Sequence, residues 1–318
     1  MRALLPLCLF PILSTAPAFG WGCEGHQIVA LIARAHLTPA AAAAVDQLLR
    51  ESPIDPALRR FCRDRPDDPM ADAATWADDI KYTEKTDLWH YVDIPLTVTS
   101  RTSLAPWCPP IGPAPPGEKT SRPGCVTSAL EYELAILRDK SRSAADRATA
   151  LRYVIHFAGD IQQPLHDSNN NDRGGNCTSM QFFAEDRPTN LHSIWDYKLI
   201  EHKLTLDKLT QPDYARQLDR QFASQAAPAA ASGPVDWAWE GHQLALAVTY
   251  GDLSPSIPVE KTAAPLPTPD AVCDAETGKI TAIHIAIGEK YFNQAMPVIG
   301  EQLAKGGYRL AALLNQSF

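Results

Sequence analysis

The stretch Ser143-Ala-Ala-Asp-Arg-Ala-Thr-Ala-Leu-Arg-Tyr-Val-Ile-His-Phe-Ala-Gly-Asp-Ile161 reads as one helix, its apolar residues recurring at helical and not at alternating spacing. Working outward, the same periodicity runs through 27–37, 70–82, 127–139, 190–203, 213–223 and 235–250, with two further helical segments between Ile280 and Leu314. Thr38-Pro39 supplies an N-cap and a first-turn proline for the Ala-rich helix that runs to Arg50. Alternation of β-branched residues is nearly absent, and 91–99 is the one modest strand candidate. The 27 prolines collect between helices, most clearly in loops 95–123 and 253–269, and both flanks of each loop continue the helical pattern. The expectation is an all-α fold: a single multi-helix domain with long Pro-rich loops.

Composition bounds the chemistry. The 318 residues carry 29 Lys+Arg against 37 Asp+Glu, a net charge of −8, with 45% hydrophobic residues. Such a chain can bury a sizeable core. Its acidity argues against coating DNA through a basic surface, which needs clustered Lys and Arg, but leaves room for an enzyme that holds a few nucleotides in a metal-lined cleft. Arg2, the apolar run from Ala3 to Leu13 and the small residues of Ala18-Phe19-Gly20 read as a signal peptide over 1–20. Cleavage after Gly20 makes Trp21 the first residue of a mature domain spanning 21–318. No later segment reads as a membrane anchor, so a secreted or periplasmic monomer is expected.

Six cysteines remain after that cleavage, Cys23, Cys62, Cys108, Cys125, Cys177 and Cys273, with no C-x-x-C pair. An even number in an exported chain favours disulfides over thiolate ligands. Fifteen full pairings are open, and Cys108–Cys125, closing one Pro-rich loop, is preferred. Asn176-Cys177-Thr178 and Asn315-Gln316-Ser317 match glycosylation sequons. Glu24-Gly25-His26-Gln27 recurs as Glu240-Gly241-His242-Gln243. With nothing around the second copy extending the match, chance similarity is preferred to a duplicated ligand segment.

His156 and Asp160 stand four apart, as do His192 and Asp196, so each pair shares one helical face and can grip one metal ion. Spacing alone is weak, since a capping Asp or a hydrogen-bonded core His produces it as readily. Context strengthens it. The first pair continues as His156-Phe-Ala-Gly-Asp160-Ile-Gln-Gln-Pro-Leu-His166, and then Asp172-Arg-Gly-Gly-Asn176, a glycine turn where backbone approaches closely. The second lies in Asn190-Leu-His192-Ser-Ile-Trp-Asp196. Upstream stand Trp76-Ala-Asp78-Asp-Ile-Lys81 and Leu88-Trp-His90-Tyr-Val-Asp93, and at the expected N-terminus Trp21 precedes His26 by five residues.

This order of motifs resembles the S1/P1 nuclease family, the zinc-dependent single-strand-specific nucleases. The resemblance is detailed from Trp21 to Asp196 and looser beyond. It implies three zinc ions at the bottom of a cleft in an all-α fold. Carried onto this chain, one zinc takes Asp78, His90, His156 and Asp160, and a second takes His166, His192 and Asp196. The third takes His26, Asp160 and the amino group and carbonyl oxygen of Trp21, so that Asp160 bridges two ions. Imidazole and carboxylate suit Zn²⁺. The resemblance further implies a hydroxide between the closely spaced ions as nucleophile, cleavage of the P–O3′ bond and 5′-phosphorylated products from single-stranded DNA and RNA, with 3′-nucleotidase activity. Asp160 and Lys81 are then catalytic, Lys81 holding phosphate or a neighbouring carboxylate, although a solvated helix face accounts for Lys81 equally well. Asp93 is placed to hydrogen-bond a base and Tyr91, where relatives tend to have Phe, to stack on one.

His36, His202, His242 and His284 have no motif partners and read as surface or core histidines, while Trp237 and Trp239 read as core. A phospholipase C-type zinc hydrolase, sharing the architecture, is the alternative; a zinc-storing protein ranks last. Tyr91 and Asp93 favour a nucleotide over a lipid.

Overall fold

The computed structural model describes residues 21–58, 62, 66–113, 121–185, 189–254 and 285–318. The expected signal peptide, His284, Cys273 and nearly all of loop 253–269 lie outside the described residues. Among the described residues the chain is mostly helical. In order come α1 (Cys23–Ala35), α2 (Pro39–Glu51), the short α3 (Pro69–Ala73) and α4 (Trp76–Ile80), α5 (Val126–Arg138) and α6 (Ala144–Asp160). Then follow α7 (Leu191–Ser193), α8 (Leu199–Asp207), α9 (Gln211–Phe222), α10 (Ala226–Ala230), α11 (Pro234–Leu244) and α12 (Glu289–Asn315). Thr38 caps α2 as expected, its hydroxyl accepting from the Ala41 N–H. Ser143 does the same for α6 from the Asp146 N–H.

Helix α6 is the axis of the molecule. Almost every residue from Ala148 to Asp160 is buried, because α1, α2, α4, α5 and α12 pack around it. A helix apolar on all sides must lie inside other helices, and the polar exceptions at its buried end are His156 and Asp160.

The structure corrects the sequence reading at several elements. The helix expected over 70–82 is two, broken at Ala74-Thr75, and the break leaves the Ala74 carbonyl to accept a hydrogen bond from His156 Nδ1 at 2.7 Å. The helical pattern of 190–203 passes through a π-turn at Ile194–Lys198, and that of 235–250 through another at Ala245–Thr249. The two segments expected between Ile280 and Leu314 are instead the strand β3 (Ile285–Ile287) and the single helix α12, which continues through Pro297. A proline inside a helix costs about 3 kcal/mol. Here Tyr291, Phe292, Ala295, Met296, Ile299 and Leu303 form a continuous buried face on both sides of it, and their packing outweighs the lost hydrogen bond.

Segment 91–99 is no strand. It makes one parallel bridge, Pro95 to Asn169, since Pro95 has no N–H to extend a ladder. The three-stranded sheet, ordered β2-β1-β3, pairs β1 (Ser179–Phe182) with β2 (Thr189–Asn190) antiparallel and with β3 parallel, in the register Met180 to Ile285. Cys108–Cys125 forms as preferred, and Cys23–Cys62 ties the start of α1 to the segment before α3. Cys177 is also disulfide-bonded. No helix of the described residues is long and apolar enough to cross a membrane.

Both copies of the Glu-Gly-His-Gln echo lie in helices, α1 and α11, but their histidines differ. His242 Nε2 donates to the Val98 carbonyl and Nδ1 accepts from Ser168 Oγ, each at 2.7 Å, which makes it a satisfied core histidine. The shared glycines answer to close packing. A Cβ on Gly241 would lie 1.9 Å from Asp167 Oδ2, and one on Gly25 would lie 2.7 Å from Trp21 Cβ. Gly241→Ala is therefore expected to destabilise the protein by about 1–3 kcal/mol through overpacking, read as a lowered midpoint in chemical denaturation; an unchanged midpoint would contradict the packing described.

Candidate metal centre

Among the described residues, three groups of buried side chains offer ligand atoms lying within 4.8 Å of one another: Asp78, His90 and His156; His26, His156 and Asp160; and His166, His192 and Asp196. Chain elements from distant parts of the sequence bring them together. α1 carries His26, α4 carries Asp78, and the 3₁₀ turn Asp87–His90 carries His90. The C-terminal end of α6 carries His156 and Asp160, and the turn Pro164–His166 carries His166. α7 and its π-turn carry His192 and Asp196; π-turns frequently mark functional sites because they rotate one side chain out of helical register.

Asp160 stands where the first two groups meet. Its Oδ2 is 3.0 Å from His90 Nδ1 and 3.1 Å from His156 Nε2, and its Oδ1 is 3.3 Å from His26 Nε2. His156 Nε2 and His90 Nδ1 are themselves 3.0 Å apart, and the rings of His26 and His156 stack at 4.0 Å. In the third group His192 Nε2 is 3.2 Å from Asp196 Oδ2.

Backbone carbonyls orient the imidazoles. Nδ1 of His156, His166 and His192 donates to the carbonyls of Ala74, His90 and Gly174 at 2.7, 2.7 and 2.6 Å. A carbonyl can only accept, so Nδ1 holds the proton and Nε2 turns a lone pair into the site. Several atoms at the centre satisfy no hydrogen bond. Both oxygens of Asp160, and His26 Nε2 facing Oδ1 at 3.3 Å, are buried without one. Buried polar atoms left this way cost about 1–3 kcal/mol each, and lone pairs converging on a common point are what a cation relieves.

Charge balance gives the same answer. Burial pushes Asp160 up, but His156, His26 and His90 outweigh it and hold the carboxyl well below its usual value. Burial raises Asp78 too, and Lys81, His156 and His90 overcome it. Burial brings His90 down to about 4, only partly opposed by Asp160, and lowers His26 with help from His156. Asp196 is pushed well up by burial and by Asp78 and Asp160, with Gln163 opposing. Imidazoles and carboxyl groups clustered away from water are the donor set of Zn²⁺, and the residues present fit that ion.

Trp21 is fully buried, and the neighbouring Gly22 N–H donates to the Asp196 carbonyl at 2.7 Å. Lys81 is buried with Nζ 3.0 Å from Asp78 Oδ1, so the solvated-face reading does not hold. Half-buried Asp93 accepts from Asn169 Nδ2 at 2.7 Å, and burial raises its carboxyl to about 6. Half-buried Tyr91 is held neutral by burial and by Asp93. His36 bonds Asp219, His202 stacks on Phe183, and Trp237 and Trp239 are core.

Three residues at the site were not singled out from the sequence. Gln163 Nε2 donates to Asp196 Oδ1 at 2.6 Å, Asn169 holds Asp93, and exposed Arg173, at φ +58°, lies within electrostatic reach of Asp93. Gln163 and Arg173 stand within the motifs quoted above, and their position there was the available signal. The Asn176 amide bonds the Arg173 carbonyl and the Thr178 hydroxyl bonds Asp172, while Asn315 bonds His36 and Thr38, so both sequons are engaged in the fold.

Comparison with known proteins places this chain among nucleases. The sequence profile described as S1/P1 Nuclease matches residues 21–318. Endonuclease 2 of Arabidopsis thaliana is 28% identical over 94% of this chain and 91% of its own length. Nuclease S1 of Aspergillus oryzae is 26% identical, covering 99% and 98%, and nuclease P1 of Penicillium citrinum is 27% identical, covering 93% and 97%. The chain belongs to the S1/P1 nuclease family.

Proposed function

We propose that the protein is an exported zinc-dependent nuclease that hydrolyses single-stranded DNA and RNA to 5′-phosphorylated products and removes phosphate from 3′-nucleotides. The observation that carries this reading is the three buried His/Asp groups, two of them joined at Asp160, in a chain of this family and beside the Tyr91–Asp93 pair. Three zinc ions would be held by Asp78, His90, His156 and Asp160; by His166, His192 and Asp196; and by His26, Asp160 and the α-amino group and carbonyl of Trp21. Bound Zn²⁺ supplies Lewis acidity toward phosphate and brings the pKa of bound water to about 7.

The chain's own residues supply the rest. Lys81 Nζ, fixed on Asp78, sets a positive charge beside the centre where phosphate is drawn in. Tyr91 gives a base a neutral ring to stack on. Asp93, oriented by Asn169, accepts from N–H groups on a base edge. Such an acceptor is strongest when ionised. Because burial raises Asp93 to about 6, lowering the pH below that value protonates it and weakens binding. The expected result is that kcat/KM for a base with N–H donors falls about tenfold per pH unit below 6, and that Asp93→Asn removes this limb relative to wild type. The same limb persisting in the Asn variant would assign it elsewhere.

A polar pair suited to a base, and relatives bearing the names nuclease and endonuclease, favour this reading over a phospholipase C-type hydrolase. The disulfides and the expected leader at 1–20 support export. A substrate panel on protein beginning at Trp21 tests it: single- and double-stranded DNA, RNA, 3′-nucleotides and phosphatidylcholine, with and without chelator. Chelator-sensitive turnover of single strands and 3′-nucleotides is expected; turnover of lipid alone would overturn the proposal.

A further inference from the structure

We infer that Thr249 and Tyr250, at the end of the π-turn that follows α11, form a strut that positions the third ligand group through two separate hydrogen-bonded arms. None of these residues carries a candidate ligand, and the sequence motifs stop short of them.

The first arm runs from Tyr250 to His192. The Tyr250 hydroxyl donates to Asp172, 2.9 Å from Oδ1 and 3.0 Å from Oδ2. Asp172 is fully buried and also accepts from Thr178 Oγ1 at 2.7 Å, the Gly175 N–H at 2.9 Å and the Asn170 N–H at 3.2 Å. One carboxylate thus gathers the loop 170–178 around itself. That loop turns through Gly174 and Gly175 at φ +59° and +84°, a region costly for side-chain-bearing residues. A Cβ on Gly174 would also lie 2.6 Å from the Leu165 carbonyl. The turn presents the Gly174 carbonyl that accepts from His192 Nδ1 at 2.6 Å.

The second arm runs to Asp196. Trp195 Nε1 donates to the Tyr291 hydroxyl at 2.7 Å, which in turn donates to the Thr249 carbonyl at 2.9 Å. Trp195 precedes Asp196 within the π-turn, and both Trp195 and Thr249 are fully buried. The π-turn Ala245–Thr249 is what sets these adjacent residues against two different partners: Thr249 offers its carbonyl to Tyr291 while Tyr250 faces Asp172. Outer partners of metal-binding imidazoles typically change affinity by about 10–100-fold when removed.

The inference rests on the zinc reading of His166, His192 and Asp196, and the experiment separates the two. Zinc per chain is measured by elemental mass spectrometry after dialysis against graded chelator, for wild type, Tyr250→Phe, Tyr291→Phe and Tyr308→Phe. Tyr308 is a control, a buried hydroxyl donating to the Asp219 carbonyl away from the site. Wild type and Tyr308→Phe are expected to hold three ions to the same chelator concentration. Tyr250→Phe and Tyr291→Phe are expected to lose one ion at about tenfold less chelator, with a larger drop in melting temperature for zinc-loaded than for metal-free protein. In a His192→Ala background, Tyr250→Phe should cause no further loss, which assigns the ion to this group. Should Tyr250→Phe fail to fold, Tyr291→Phe reads the other arm. Equal zinc retention in wild type and both variants, or equal drops in loaded and metal-free melting temperature, would overturn the strut alone. Wild type holding no third ion would overturn the zinc reading with it.

Discussion

Asp160→Asn is expected to leave a folded protein that holds fewer than three zinc ions and cleaves single-stranded DNA at least about a thousandfold more slowly, beyond what losing one preorganised electrostatic donor usually costs. The expectation follows from geometry. Both Asp160 oxygens are buried without a hydrogen bond, Oδ1 toward His26 and Oδ2 toward His90 and His156. Asparagine keeps the shape but replaces one oxygen with an NH₂ group and removes the negative charge. Whichever way the amide turns, one of the two adjoining groups loses its carboxylate. The loss of metal is the diagnostic part, since a variant with three ions and normal turnover would reject the bridging role. The fold should survive, because asparagine matches aspartate in shape and volume.

A Gly-Ser extension retained before Trp21 is expected to cost one zinc ion and about a hundredfold in activity, relative to protein that begins at Trp21. An α-amino group offers a lone pair to a metal, whereas a peptide nitrogen has delocalised it into the amide. Position supports the idea as strongly as chemistry does. Trp21 is fully buried, Gly22 is pinned to the Asp196 carbonyl, Gly25 packs on the Trp21 Cβ, and His26 meets Asp160 one turn later. Under the proposed ligand set, Trp21 as first residue would stand between two ligand groups, and removal of the expected leader would complete the site. Elemental analysis and turnover of the two forms check this; full metal content and activity with the extension would contradict it.

Much of this was legible because the informative signals are local. Helical spacing placed α6, the His-x-x-x-Asp pairs shared one face, and Thr38-Pro39 marked the start of α2. The features that escaped depend on contacts far along the chain. Ala74 leaves helical bonding where His156, 82 residues on, takes up its carbonyl. Pro297 continues α12 because a buried face runs past it on both sides. Both π-turns add one residue to a helical turn, a shift confined to so few residues that a pattern read over several turns does not register it. At the site, His and Asp announced themselves by spacing, whereas Gln163, Asn169 and Tyr250 are ordinary polar residues until folding sets them against Asp196, Asp93 and Asp172. Composition was informative about the surface and misleading about the centre. Without the expected leader, whose one charged residue is Arg2, the chain has 28 basic and 37 acidic residues and carries −9, and three Zn²⁺ ions would offset six of those charges inside one cleft.

The most direct measurement is a zinc titration of metal-free protein beginning at Trp21, with bound zinc per chain and cleavage of single-stranded DNA followed in the same samples. Cleavage is predicted to be absent without metal and to rise as occupancy approaches three ions. Cleavage by the metal-free protein, or full occupancy with no cleavage, would contradict a nuclease centred on Asp160.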